Sequence, residues 1–216
     1  MDTFAASHPS DELLGVIRAG YSGDIAPARA ALHAADPALR RAALGALTRA
    51  GALRPEDLTG NGVGMLLDSD PTVRRHAAWI ASRPGVPPVD LTSSMADPDD
   101  RVREMAAFAA GEAPAGTPRV VELLISMAGD DTDHLCREAA VAALGSIGDP
   151  RAHDAVVAAC RDRATVRRRA VLALAQFPGD RSTTELRRLS RDRDIQVRQS
   201  AEDLLAIIEG HGRDAQ

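Results

Sequence analysis

Asp70-Pro71-Thr72-Val73-Arg74-Arg75-His76-Ala77-Ala78-Trp79-Ile80 is the stretch whose reading decides the fold. Its skeleton, Asp-x-x-Val-Arg-x-x-Ala, returns as Asp36-Pro37-Ala38-Leu39-Arg40, Asp99-Asp100-Arg101-Val102-Arg103, Asp133-His134-Leu135-Cys136-Arg137, Arg163-Ala164-Thr165-Val166-Arg167 and Asp194-Ile195-Gln196-Val197-Arg198. Successive motif arginines are 34, 29, 34, 30 and 31 residues apart, the period of a solenoid of helical hairpins. The Asp is a helix N-cap, and Pro at the next position loses nothing because its N–H would lie outside the helical bonding pattern. Apolar residues then recur at −1, +3, +4, +6 or +7 and +10 from the motif Arg, on one side of the helix.

Working outward, Ser10 to Ala19 reads as a leading helix that caps the array. The expected organisation is one domain over 1–216, with a capping helix over 10–23, repeats over 24–51, 55–84, 87–112, 117–148, 149–178 and 180–209, and a frayed tail over 210–216. Each repeat holds two helices, the second starting at the motif. Gly60, Gly62 and Gly64 weaken the first helix of repeat two, expected over Glu56 to Leu67, because each costs about 1 kcal/mol relative to Ala in a helix interior. Arg83-Pro84-Gly85-Val86-Pro87-Pro88 ends repeat two and leaves Asp90 to Ala96 room for two helical turns, so the solenoid is expected to bend there. The clean hairpins are Arg119 to Ala128 with Leu135 to Ile147, Arg151 to Arg161 with Thr165 to Phe177, and Thr183 to Arg191 with Ile195 to Glu209.

Composition points the same way. Aromatic residues make up 2% of the chain, so the core is expected to be aliphatic, which suits closely packed helices. All 26 basic residues are Arg; net charge is −5, but residues 1–160 carry −8 and residues 161–216 carry +3. The amino terminus lacks a positively charged leader pattern, and no apolar run reaches the ~18 residues of a membrane span, so a cytoplasmic location without membrane attachment is expected. Cys136 and Cys160 form no Cys-x-x-Cys pair and read as buried structural thiols.

The pattern Asp-Pro-x-Val-Arg-x-x-Ala-Ala-x-Ala-Leu at a period near 31 resembles the HEAT-like repeat family, in particular the short bacterial repeats first noticed in phycobilin lyases. The resemblance covers residues 24 to 209. It implies an all-α, right-handed α-solenoid of about six helical hairpins, second helices lining the concave side, and an Asp–Arg ladder along the stack. Here the ladder is expected from Asp36, Asp70, Asp99, Asp133 and Asp194 with Arg40, Arg74, Arg103, Arg137, Arg167 and Arg198. Asp four residues before Arg shares a helix face with it, so the expected carboxylate both caps the helix and pairs with its own guanidinium. Repeat five departs, with Arg163 at the Asp position and Asp162 beside it.

Function is expected on positions the core does not use, namely +1, +2, +5 and +9 from each motif Arg. There Arg75, His76, Trp79 and Arg83 of repeat two, with Met105 and Phe108 of repeat three, are expected to form an apolar, charge-rimmed patch that binds a protein partner. A second candidate is a basic site of Arg163, Arg168, Arg169, Arg187, Arg188 and Arg191. No His/Cys spacing specifies a metal, and no catalytic triad or phosphate loop is present. The reading is a non-enzymatic scaffold or adaptor that binds a protein partner through the concave face of the solenoid, with no cofactor. The alternative implied by the resemblance alone is a HEAT-like DNA glycosylase or bilin lyase; an acidic, aromatic-poor chain fits neither nucleic acid nor a tetrapyrrole well.

Overall fold

The computed structural model describes residues 9–60, 64–112 and 117–214. These form two compact units, divided between Ser94 and Met95. All regular structure among the described residues is helical, as the aliphatic, 3.6-periodic sequence dictates.

The first unit holds α1 (Pro9–Ser22), α2 (Ala26–Ala31), α3 (Pro37–Arg49), α4 (Pro55–Thr59) and α5 (Pro71–Ala81). Asp36 accepts the N–H of Ala38 and Asp70 that of Thr72, each at 2.8 Å, so the Asp-Pro pairs start α3 and α5 as the cap rule requires. Helix α3 packs between α1 and α5, and α2 lies against both α1 and α3. The expected Glu56 to Leu67 helix is broken: α4 stops at Thr59, and a short 3-10 turn covers Met65–Leu67. Gly62 lies outside the described residues.

The second unit holds α6 (Asp100–Gly111), α7 (Pro118–Asp130), α8 (His134–Ile147), α9 (His153–Ala159), α10 (Ala164–Leu174), α11 (Asp180–Leu189) and α12 (Ile195–Asp214). Helices α6, α8, α10 and α12 stack in sequence as one layer, while α7 and α9 pack together in the other and α11 lies against α10 and α12. The Asp90 to Ala96 helix does not form; only a 3-10 turn occupies Ser94–Ala96, because seven residues after a Pro-Pro pair provide too few internal hydrogen bonds for a costly helical nucleus. At the other end, α12 carries helical backbone to Asp214, beyond Glu209 where it was expected to stop.

The motif's apolar positions form the cores. Residues at −1 (Leu39, Val73, Val102, Cys136, Val166, Val197) and at +3 (Ala43, Ala77, Ala106, Ala140, Ala170, Ala201) are all buried. Small residues at the stacking face bring backbones close. A Cβ on Gly111 would fall 2.8 Å from the Cα of Ala143, and one on Gly145 would fall 2.8 Å from the Cβ of Ala173, so these two glycines set the spacing of α6, α8 and α10.

The ladder differs from the expected pairing. Each capping Asp accepts N–H groups of its own helix, as Asp99 does from Arg101, Asp133 from Leu135 and Asp194 from Gln196, and Asp194 takes Arg168 of the preceding second helix as well. The motif Arg reaches instead to an acid 25 to 28 residues later. Its Nε and Nη2 form a fork on Asp68 from Arg40, on Asp131 from Arg103, on Asp162 from Arg137 and on Asp192 from Arg167, at 2.6–3.0 Å. The third nitrogen donates to a carbonyl just before the Arg's own helix, as in Arg40 to Ala34, Arg74 to Asp68, Arg103 to Asp97 and Arg198 to Asp192. Guanidinium geometry explains this: one rigid fork engages both oxygens of a carboxylate while a further N–H remains for the backbone.

Three of the four receiving acids, Asp68, Asp131 and Asp192, are the first of an Asp-x-Asp pair; like Asp97, each accepts, at 2.9 Å, the backbone N–H of the capping Asp two residues on. In repeat five Asp162 serves as the rung for Arg137, while Arg163 offers α10 no side-chain cap. The rung is kept and the cap is lost.

Candidate functional site

Since −1, +3, +4, +6 and +7 face the core in α3, α5, α6, α8 and α10, +1, +2 and +5 are left outside it. The structure bears this out at +5. Trp79 of α5, Phe108 of α6 and Leu172 of α10 occupy this position and are 38%, 46% and 52% exposed, although large apolar side chains are normally drawn inward.

In the first unit, the Trp79 ring contacts two side chains. His76, one turn earlier, stacks on it with ring centres 5.3 Å apart, and the Arg83 guanidinium lies 5.0 Å from its centre on a cation–π contact. Arg75 is exposed beside them, and Gly45 at +5 of α3 faces the His76 ring, whose Nε2 would lie in van der Waals contact, 3.8 Å, with a Cβ there. Burial, with the neighbouring charges of Arg41 and Arg75, pushes His76 down to about 4. At neutral pH it is therefore an uncharged ring, suited to stacking. Of the expected site, the structure brings His76, Trp79 and Arg83 together.

In the second unit, Met105 is half-buried and Phe108 exposed on the outer side of α6. Farther along, α8 and α10 frame a shallow hollow of about 270 Å³ whose walls include Ala142, Gly145, Leu172 and Gln176. Arg169 crosses its edge to Glu138 at 3.1 Å. The sequence pattern placed Ala142 and Leu172 at +5 without selecting them; the close approach at Gly145 is what makes the hollow.

The expected basic site is largely neutralised. Arg168 forks onto Asp194 at 3.2 and 2.6 Å, and this bond with the N–H groups of Val197 and Gln196 holds the Asp194 carboxyl down to about 2. Arg169 goes to Glu138, Arg188 to Glu185 at 2.8 Å and to the Cys160 carbonyl, and Arg187 lies 3.5 Å from Glu209. Arg163 and Arg191 are exposed and make no ion pair among the described residues.

Both thiols are buried. Cys136 donates to the Asp100 carbonyl and Cys160 to that of Val156, and burial pushes each up to about 12. They are neutral core side chains rather than nucleophiles. Among the described residues no group of three or more His, Cys, Asp or Glu side chains is placed to hold a metal ion. No described helix is long and apolar enough to cross a membrane.

Comparison with known proteins agrees with this geometry. A family model described as HEAT repeats matches residues 88–175, and one described as PBS lyase HEAT-like repeat matches residues 166–192. No curated protein matches the chain. Among solved structures, two crystal structures of engineered proteins each superpose with a TM-score of 0.60 over 87% of this chain, at 20% and 18% identity, covering 97% and 99% of their own lengths. A third engineered protein, at 20% identity and a TM-score of 0.59, aligns with 94% of this chain, which spans 61% of its length. Such identities establish the shared fold alone. The matched models over residues 88–192, with the rungs and the stacked second helices, identify HEAT-like repeats in this stretch, and the described chain is an all-helical repeat solenoid.

Proposed function

We propose that the chain is a non-enzymatic scaffold or adaptor, one continuous array of about six repeats that binds a protein partner through the outward faces of its second helices. The carrying observation is the recurrence of exposed Trp79, Phe108 and Leu172 at one motif position in an aromatic-poor chain. Exposed Trp and neighbouring Arg are the side chains that dominate interface energetics, because each removes a large area from water at small conformational cost. Solubility alone would favour polar residues at +5.

Supporting the non-enzymatic part, the thiols are inert, His76 is neutral and stacked, and Arg167 and Arg168 of α10 are held by carboxylates. The net charge of −5 favours a protein over nucleic acid. Two free thiols suit a reducing compartment, so the reading places the chain in the cytoplasm.

The test is affinity capture from the source cell with wild type and with the triple variant Trp79→Ser/Phe108→Ser/Leu172→Ser, whose fold is checked by circular dichroism and thermal melting. Phe108 and Leu172 are about half exposed, so stability should change by only about 0.5 kcal/mol at each, and by about 1–2 kcal/mol at Trp79, which also gives up its His76 and Arg83 contacts. A protein held by wild type and lost by the folded variant supports the reading; an undiminished partner contradicts it.

A further inference from the structure

At one edge of the second unit, where α9 turns into α10 and α11 turns into α12, lies an open basin of about 820 Å³. Six of its lining residues are Arg161, Arg167, Arg187, Arg188, Arg191 and Arg193, against one carboxylate, Asp192. That Asp is already committed, since the Arg167 fork takes both its oxygens at 2.9 and 2.7 Å. Glu185, behind the wall, takes Arg161 at 2.6 Å and Arg188 at 2.8 Å. Arg187 touches Glu209 only at 3.5 Å, with both side chains more than half exposed. Arg191 and Arg193 are exposed and have no carboxylate partner among the described residues.

The nearby carboxylates, Asp192, Glu185 and Glu209, leave a surplus of three positive charges in one concavity. Like charges gathered in a cleft focus a positive field and are relieved by a bound anion. At the end of α9 the Cys160 carbonyl is taken by Arg188 and the Val157 carbonyl by Arg161. The field is also local, since the opposite ends of the same helices carry Asp154 and Asp180.

The lining also says what the ligand is. It holds no aromatic ring on which a base could stack, and the Cys160 thiol is neutral and bonded to the Val156 carbonyl, which excludes covalent capture. Recognition is left to guanidinium forks, which match the paired oxygens of phosphate groups. The volume is that of a small-molecule site rather than a nucleic-acid track. We propose that this basin binds a compact oligophosphate of two or three phosphoryl groups, free or carried by a small molecule, with Arg191 and Arg193 as the groups that close on it.

Isothermal calorimetry with inorganic tripolyphosphate tests this on the full chain at low ionic strength, with adenosine triphosphate as the carried form. Expected is saturable binding of one tripolyphosphate per chain that weakens as salt rises. Affinity should drop at least tenfold in Arg191→Glu/Arg193→Glu and be kept in Arg18→Glu/Arg101→Glu, which makes the same charge change elsewhere. Citrate, of similar charge, should bind at least tenfold more weakly. Comparable binding of adenosine triphosphate extends the proposal to the carried form. The proposal is overturned by no saturable binding, by equal losses in the two folded variants, by citrate binding as tightly as tripolyphosphate, or by a DNA oligomer outcompeting both at equal phosphate concentration.

Discussion

Replacing Arg103 and Asp131 singly and together tests whether the ladder ties one repeat to the next. Arg103→Ala removes a two-bond fork at 2.8 and 2.9 Å and a third bond, at 2.8 Å, to the Asp97 carbonyl. The side chains of Arg103 and Asp131 are only 17% and 7% exposed. Breaking a buried ion pair from one side costs about 3–5 kcal/mol because the remaining charge is stranded, so partial exposure places each single variant near 3 kcal/mol. The double variant strands nothing and should cost about 4 kcal/mol, a coupling of about 2 kcal/mol. Asp99 is the contrasting partner: it caps α6 by accepting the Arg101 N–H at 3.0 Å, so Asp99→Ala should cost about 1 kcal/mol and add to Arg103→Ala within about 0.5 kcal/mol.

Urea unfolding at neutral pH, with the slope checked for constancy across variants, measures both cycles. Burial works to raise the Asp131 carboxyl, but the Arg103 and Asp133 hydrogen bonds and the Arg103 charge hold it below the usual carboxylate range. Its lowered value means that the unfolded chain binds the proton first as pH falls. The Asp131 contribution is thus full above about pH 4 and lost as pH drops through the lowered native value. A coupling to Asp99 larger than that to Asp131 would refute the reasoning.

Gly145→Ala, whose Cβ would sit 2.8 Å from the Cβ of Ala173, should destabilise by about 1–3 kcal/mol, whereas Gly129→Ala on the open side of α7 should be neutral or stabilising by up to about 1 kcal/mol; thermal melts distinguish the two. His76 should titrate near pH 4 by NMR instead of near 6.5, and the protein should lose stability as pH falls from about 6.5 to 4, where the unfolded ring is protonated and the native ring is not. Cys136 and Cys160 should resist Ellman's reagent in the native state and both react in guanidinium, because burial blocks access and suppresses the thiolate. Rapid native labelling of either would contradict their placement.

The second helices were legible because cap, first-position Pro and the −1/+3 core pattern are local and reinforce one another, as at Asp70-Pro71 with Val73 and Ala77. First helices were less so. Asp90 to Ala96 carries no strong start signal, and the Glu56 to Leu67 helix starts at Pro55 but stops at Gly60, so its length, unlike its start, was misread. The ladder's Arg was visible, but its partner was misassigned because it lies 25 to 28 residues away; the Asp-x-Asp pairs at 68–70, 97–99, 131–133 and 192–194 were the available clue. For the same reason the basic site looked freer than it is. Arg168 and Arg169 are matched to Asp194 and Glu138 on other helices, 26 and 31 residues away, whereas exposure of Trp79 and Phe108 followed from helical phase alone.

The central claim, that the +5 face of the second helices is where a protein partner sits, is tested most directly by site-specific photocrosslinking in the source cell. A photoreactive phenylalanine analogue is placed singly at Trp79, Phe108 and Leu172, and at exposed first-helix positions Arg18, Arg119 and Thr184. The account predicts that one and the same protein is captured from the three second-helix positions and from none of the other three. Capture from the first-helix positions instead, or with equal yield from all six, would contradict it.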